Sequence, residues 1–225
     1  MEYGAHLPLL SFQGESRKLA DLEAFTDAAR ELGYTFLCAN DHLVFSRAWL
    51  DGPTALSAVM SRSGGMKLAT TICLPVVRGP GPTAKWLAAL DVLSNGRVVA
   101  GVGPGSSARD YALVGLSYDE RWARLEESIH TMRAMFSGGT FEGEYYSTNE
   151  EQFEPLPVQK GGPPVWMGSW GGDVPRRVDH RVEIEAAVSL GKRSSGDLLL
   201  FVNAVDPFSV SVQGIDQDRH ALVAA

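Results

Sequence analysis

Two cysteines in 225 residues are too few for a disulfide framework, and both Cys38 and Cys73 lie in apolar, strand-like runs. A free thiol in such a run behaves as a small buried hydrophobe, so a disulfide is open but not favoured. Positive charge is also scarce. Twenty Lys and Arg stand against 27 Asp and Glu, a net charge of -7, which repels phosphate backbones and anionic lipid. Nucleic acid and membrane surfaces are therefore poor partners. No apolar run approaches the ~20 residues of a spanning helix, and Met1-Glu2-Tyr3-Gly4 lacks the basic start of a secretory signal, so a cytoplasmic address is expected. His6, His42, His130, His180 and His220 are scattered without H-E-x-x-H or C-x-x-C spacing, which leaves a dedicated metal site without support. Gly168-Ser169-Trp170-Gly171 lacks the spacing of a G-x-S-x-G nucleophile elbow. No two carboxylates pair at a predicted strand end, as a glycosidase would need.

What the chain does have is apolar mass, 44% of its residues with nine Phe and five Trp, enough for one soluble domain with a substantial core. From residue 3 to about 105, short β-type runs alternate with segments of helical period, the signature of βαβ units and a parallel sheet. Tyr3 to Leu10 reads as the first strand. Leu19, Leu22, Phe25, Ala29 and Leu32 recur at spacings of three and four and predict a helix stopped by Gly33. Phe36 to His42 reads as strand two, Pro53 to Met60 as a short helix entered through proline, and Lys67 to Pro75 as strand three. A helix from near Thr83, with Trp86, Leu87, Leu90 and Leu93 inward, ends at Asn95-Gly96 before strand four, Arg97 to Gly103.

The clearest helix follows, with Trp122, Leu125, Ile129, Met132 and Phe136 in one stripe and Gly138-Gly139 beyond it. Asp119, Glu126 and Glu127 are expected to be solvated or paired with arginine. Between residues 140 and 164 the alternation breaks into a surface excursion, delaying strand five at Val165-Trp166-Met167-Gly168. Val182 to Leu190 could be helix or strand, and Leu198 to Val205 reads as a strand.

In a parallel barrel, ligands bind where strands end and loops begin. Strand two ends in Asn40-Asp41-His42, polar groups where alternation would otherwise demand apolar ones. The alternative is that Asp41 caps a turn while His42 packs. Strand three ends in Thr70-Thr71-Ile72-Cys73-Leu74-Pro75, where the threonines either face a pocket or serve only as β-formers. Strand four ends in Gly101-Val102-Gly103-Pro104-Gly105-Ser106, a turn that lets backbone approach a planar or anionic ligand. It is not the dinucleotide fingerprint, because Ser106 stands where G-x-G-x-x-G needs glycine.

Ala39-Asn40-Asp41-His42-Leu43, Leu68 to Pro75 with Arg78-Gly79-Pro80, and Ala89 to Val98 continuing through Gly101-Val102-Gly103 to Arg121-Trp122-Ala123-Arg124-Leu125 closely resemble the luciferase-like monooxygenase superfamily. Tyr145, Pro155 to Gln159 and Pro163 to Gly168 are similar to its later segment, and the likeness covers residues 1 to 172. The resemblance implies a TIM-type (β/α) barrel, possible homodimers, and an oxidoreductase using reduced F420 or FMN for hydride transfer or monooxygenation of a small organic substrate. The redox chemistry would belong to the cofactor. By the same resemblance, Asp41 and His42 form the strand-two pair, with His42 as proton donor or charge stabiliser. Thr71 and Ile72 form a bulge behind the ring, joined by a cis peptide. Pro104 and Gly105 form the strand-four loop, and Gly168, Ser169, Gly171 and Gly172 a loop near the cofactor phosphate. The Asn-Asp-His form looks more like F420-using members than like true luciferases.

The chain also departs from the family. Ser106 stands where some F420 dehydrogenases of sugar phosphates carry a catalytic acid, which disfavours that substrate. Full members continue with three further β–α units, whereas the region from residue 173 to 225 does not resemble them, as if truncated, recombined or frameshifted. At ~30 residues per unit, two at most fit there. The expectation is an incomplete barrel of about five units, an atypical tail that packs on it or closes it, and Leu198 to Val202 covering an exposed edge. A catalytically silent, cofactor-binding remnant is the alternative function.

Overall fold

The structure is a computed structural model that describes residues 2–11, 17–149 and 153–170, together with the backbones of three later strands. Strands β1 (Tyr3–His6), β2 (Phe36–Ala39), β3 (Lys67–Thr70), β4 (Val98–Val102) and β5 (Val165–Trp170) pair in parallel in chain order. Helices α1 (Leu19–Glu31), α2 (Gly52–Ala58), α3 (Pro75–Arg78), α4 (Pro80–Ser94), α5 (Ala108–Leu113) and α6 (Arg121–Ser137) lie between them. Beyond β5, β6 (Ala186–Leu190) pairs with β5, β7 (Leu200–Asp206) runs parallel beside β1, and β8 (Ser209–Val212) returns antiparallel on β7. The order β6-β5-β4-β3-β2-β1-β7-β8 does not close. This is the parallel β/α architecture expected of an incomplete barrel. The strand expected to cover an edge is β7; it begins at Leu200 rather than Leu198 and lies beside β1, with Leu200 opposite Tyr3.

Strand alternation divides the sheet into two faces. One packs on the helices: Ala5, Leu37, Ala39, Leu68, Val98, Ala100, Val165 and Met167 meet Leu22, Leu56, Leu87, Leu125 and Ile129 in the main core. The opposite face carries a second, smaller cluster of Phe36, Cys38, Ala69 and Val99, with Trp166 against it. The Phe36 and Trp166 rings lie 5.3 Å apart, and the Lys67 ammonium stands over the Phe36 ring, 5.0 Å from its centre. Both cysteines are free and buried, and burial raises each thiol to about 12, so neither supplies a thiolate.

Several expected elements change length. Strands two and three stop at Ala39 and Thr70, because the chain turns out of the sheet at the polar residues that follow. Pro75 and Pro80 each open a helix rather than ending a strand or loop, as proline tolerates the first helical turn. Leu19 and Leu32, placed in the apolar stripe, and Leu93, read as inward, are 52%, 69% and 70% exposed. Leu19 and Leu32 sit at the two ends of α1, and on α4 it is Leu87, Ala88, Leu90 and Asp91 that turn inward.

The buried Asp91 explains the register of α4 and the later segment. Its carboxylate accepts from Gln159 N–H at 3.0 Å and Gln159 Nε2 at 2.7 Å, and Gln159 Nε2 also donates to Val98 C=O at 2.8 Å. One acid thus joins the end of α4, the start of β4 and the loop leading to β5. Glu127, expected in solvent or beside arginine, accepts instead from the backbone N–H groups of Glu144, Tyr145 and Tyr146. It pins the surface excursion to α6. Replacing Asp91 by Ala strands these donors, and urea unfolding should show a loss of roughly 2–4 kcal/mol. Glu127→Ala, at a partly exposed anchor, should cost roughly 1 kcal/mol by the same measurement.

Candidate active site at the strand ends

At the C-terminal ends of β1 to β5 the face opposite the described helices changes character from apolar to polar and small. Alternation continues Phe36 and Cys38 into Asn40, Ala69 into Thr71, and Val99 into Gly101 and Gly103, and it places His6 on the same face as Gly4. Glycine is required where the strands crowd. A Cβ at Gly101 would stand 1.9 Å from the Thr70 carbonyl oxygen. A Cβ at Gly103 would stand 2.2 Å from Ile72 Cδ1, and one at Gly168 would stand 2.6 Å from Ile72 Cγ2. Ile72 therefore fills the gap between the ends of β4 and β5 and presents a partly exposed apolar platform. Its peptide bond with Thr71 is cis, as the resemblance implied.

Asp41 is buried and fully engaged. Arg78 donates from Nε to its Oδ2 and from Nη2 to its Oδ1, both at 2.6 Å, and Leu74 N–H donates to Oδ2 at 3.3 Å. Arg78 Nη2 also reaches Asp51, which caps α2 by accepting from Thr54 N–H at 2.9 Å. Burial works against the charge of Arg78, yet the hydrogen bonds and attraction of the two carboxylates outweigh it and raise its pKa above the ordinary value. Burial likewise opposes the charge of Asp51, and the bonds from Thr54 and Arg78 outweigh it, holding that carboxyl below its ordinary value. It is Asp51, not Asp41, that acts as a helix cap.

His42 does not touch its sequence neighbour Asp41. Its Nδ1 lies 3.0 Å from Oδ2 of Asp110, whose side chain is 1% exposed. The second oxygen, Oδ1, accepts from Leu43 N–H at 3.0 Å and Val44 N–H at 2.8 Å. Asp110 lies on α5, a helix the sequence reading missed, six residues long and too short for a clear period. With Nδ1 held, Nε2 is the ring atom left to exchange a proton. Phe45 and Trp49 pack on the imidazole with ring centres 5.0 and 4.8 Å away. Trp49 Nε1 is a buried donor with no hydrogen-bond partner among the described residues. The loop that carries these rings is tied back to the chain after β1: Leu50 N–H donates to Leu9 C=O at 3.0 Å and Ser11 N–H to Ala48 C=O at 2.9 Å.

Pro104 and Gly105 lie at the end of β4 as expected, with Tyr111 O–H donating to Pro104 C=O at 2.5 Å and Gly105 in a left-handed conformation, φ 71°. Ser106 is exposed. Gly168 and Ser169 belong to β5, whereas Gly171 and Gly172 lie outside the described residues. The fold brings together His42, Thr71, Ile72, Pro104, Gly105 and Gly168, and adds His6, Asp110, Arg78 and Trp49. His6 Nε2 stands 2.5 Å from Thr71 Oγ1, and burial lowers its pKa from 6.5 to about 4. Among the described residues no group of three or more His, Cys, Asp or Glu could hold a metal, and no helix is long and apolar enough to cross a membrane.

The open parallel sheet with helices on one face and a polar cluster at the strand ends defines a protein of (β/α)-barrel type. A family model described as luciferase-like monooxygenase matches residues 5–178, and the chain belongs to that family. It is 35% identical over 167 residues to the F420-dependent glucose-6-phosphate dehydrogenase of Nakamurella multipartita, covering 68% of this chain and 47% of the relative. It is 36% identical over 143 residues to the enzyme of that name from Rhodococcus hoagii, covering 60% and 40%. Among solved structures, the monooxygenase RslO1 from Streptomyces bottropensis superposes with a TM-score of 0.69 at 23% identity, covering 79% of this chain and 55% of that one. The coenzyme F420 dependent tetrahydromethanopterin reductase from Methanopyrus kandleri gives 0.62 at 22%, with 76% and 50% covered. The chain thus spans about half the length of the curated relatives it matches.

Two measurements test this description of the site. Arg78→Ala leaves Asp41 buried and unpaired, and urea unfolding should show a loss of roughly 3–5 kcal/mol, with Arg78→Lys intermediate because it cannot bridge both oxygens. The second concerns His6. Its folded-state pKa is depressed, so its contribution to stability is intact above pH 6.5 and is lost as pH falls towards 4. Unfolding free energy should drop by roughly 3 kcal/mol across that window on account of this group, and His6→Gln should remove that component.

Proposed function

We propose that this chain is an oxidoreductase that binds reduced F420, or FMN in its place, at the strand ends and reduces or oxygenates a small organic substrate there. The observation that carries the reading is a held imidazole, the His42–Asp110 pair, at the same end of the sheet as the apolar Ile72, with Trp49, whose N–H has no partner among the described residues, against the imidazole. These residues fit a flat heteroaromatic ring, which needs an apolar surface for its face and a few polar groups at its edge. Relatives named as F420-dependent favour F420 over FMN. Ser106, at the position of the sugar-phosphate enzymes' acid, favours a substrate other than a sugar phosphate.

When bound, such a cofactor supplies the two-electron chemistry. The chain's own residues would do the rest. Ile72, for which Gly103 and Gly168 make room, would support the face of the ring. Pro104 and Gly105 bring the end of β4 close to the ligand. Asp110 fixes the orientation of His42, and His42 gives or takes a proton at Nε2 or steadies negative charge. Asp41 serves by holding Arg78, and through Arg78 and Asp51 it holds the two loops that frame the ring. Gly168, Ser169, Gly171 and Gly172 remain assigned by resemblance to the phosphate side. Homodimerisation and a cytoplasmic setting complete the proposal.

The test is a fluorescence titration of the purified chain with F420 and with FMN, followed by turnover assays. Saturable binding is expected, weaker by roughly tenfold or more than that of the longer relatives, because an open sheet walls the ligand on fewer sides. His42→Ala should lower turnover by roughly 10²–10⁴ while leaving cofactor affinity nearly unchanged. Asp110→Asn should lower it by a smaller factor. Binding without any turnover would select the catalytically silent alternative, and absence of binding to both cofactors would reject the proposal.

A further inference from the structure

Residues Thr70 and Thr71 are adjacent and chemically identical, yet the fold uses their hydroxyls differently. Thr70 Oγ1 is buried and donates to Gly101 C=O at 2.6 Å, so it serves the pairing of β3 with β4. Thr71 is partly exposed, and its backbone N–H is already satisfied by Ala39 C=O at 2.8 Å. Its hydroxyl is not needed by any strand. It lies instead 2.5 Å from Nε2 of His6, a buried side chain at the end of β1.

A hydroxyl has one proton to give and two lone pairs to receive with. If His6 Nε2 carries no proton, Thr71 donates to it and turns its lone pairs to the pocket as an acceptor. If Nε2 carries the proton, Thr71 accepts from the histidine and turns its own proton to the pocket as a donor. We infer that His6 is a positioning residue whose tautomer sets the hydrogen-bonding sense of the Thr71 hydroxyl, and with it what the pocket floor offers to the polar edge of a ring seated on Ile72. The inference rests on the ring-binding reading above and deepens it, by adding β1 to the strands that select the ligand. Burial keeps His6 uncharged in the neutral range, so the floor presents an oriented dipole there and not a cation.

The pair is tested first without cofactor. In protein labelled with ¹⁵N-histidine, long-range ¹H–¹⁵N correlation spectra should show His6 as one dominant neutral tautomer, assigned by its disappearance in His6→Gln. Thr71→Val should shift the Nε2 resonance or mix the tautomers, and Thr71→Ser should restore the wild-type signal. A resonance that ignores Thr71→Val overturns the inference, since a histidine that only fills space would not register the lost hydroxyl. The second arm is titration with F420 and with FMN. Thr71→Val and His6→Phe should each weaken binding about tenfold, and the double variant no more than either alone, because both act through one hydroxyl. Additive losses, or affinities equal to wild type, overturn the inference. Failure of the wild-type chain to bind either ring defeats the proposed function and the ligand half of this inference together, while the His6–Thr71 coupling still stands or falls on the spectra.

Discussion

The buried pair of Asp41 and Arg78, extended to Asp51, is the interaction on which the arrangement of the strand ends depends. It joins the loop after β2, the capping residue of α2 and the last turn of α3, three pieces that the sheet itself does not hold together. Taking a carboxylate and a guanidinium out of water is costly, and only a two-pronged geometry with further bonds offsets it. Here the fork of Arg78 meets both oxygens of Asp41, and Leu74 N–H adds a third donor. The result specifies where the loops lie more than it adds to net stability. The cluster thereby fixes the chain immediately before His42 and the turn that leads into α3.

With the frame held in that way, the other polar groups of the candidate site take their partners from different elements. His42 follows Asp41 directly in the chain, but its partner is 68 residues away on α5, and the same Asp110 accepts two backbone N–H groups of the loop that begins at His42. One carboxylate therefore orders both the imidazole and the loop that carries Phe45 and Trp49. Ile72 performs the complementary task on the apolar side, wedged where glycines at 103 and 168 leave space for its side chain. The polar and apolar sides of the candidate site are thus each built from at least two strands or helices, which is why neither could be read from a single motif.

The sheet sets the limits of this arrangement. Helices cover one face, while among the described residues the other carries the small cluster around Phe36 and Trp166. A closed barrel would pack that face in layers and wall the site all round. In this chain β6 and β8 stand at the ends of an open order, and β8 is antiparallel, so its pairing continues the sheet without continuing the β/α repeat.

Much was legible in the residues themselves. The long α6 and the strands β1 to β5 follow from period and from glycine and proline punctuation, because a helix or strand with one buried face must repeat its apolar residues at 3.6 or at 2. The polar strand ends at Asn40-Asp41-His42 and the glycine turn after β4 stood out as breaks in that repetition. Short α5 did not, since six residues carry less than two turns of signal, and Leu19, Leu32 and Leu93 misled because period shows a stripe but not where the neighbouring layer stops. What tertiary structure alone decided were the pairings: Asp41 with Arg78, His42 with Asp110, His6 with Thr71, Asp91 with Gln159. Each joins residues 37 to 68 positions apart, and nothing local distinguishes a carboxylate that will be solvated from one that the fold will bury beside a donor.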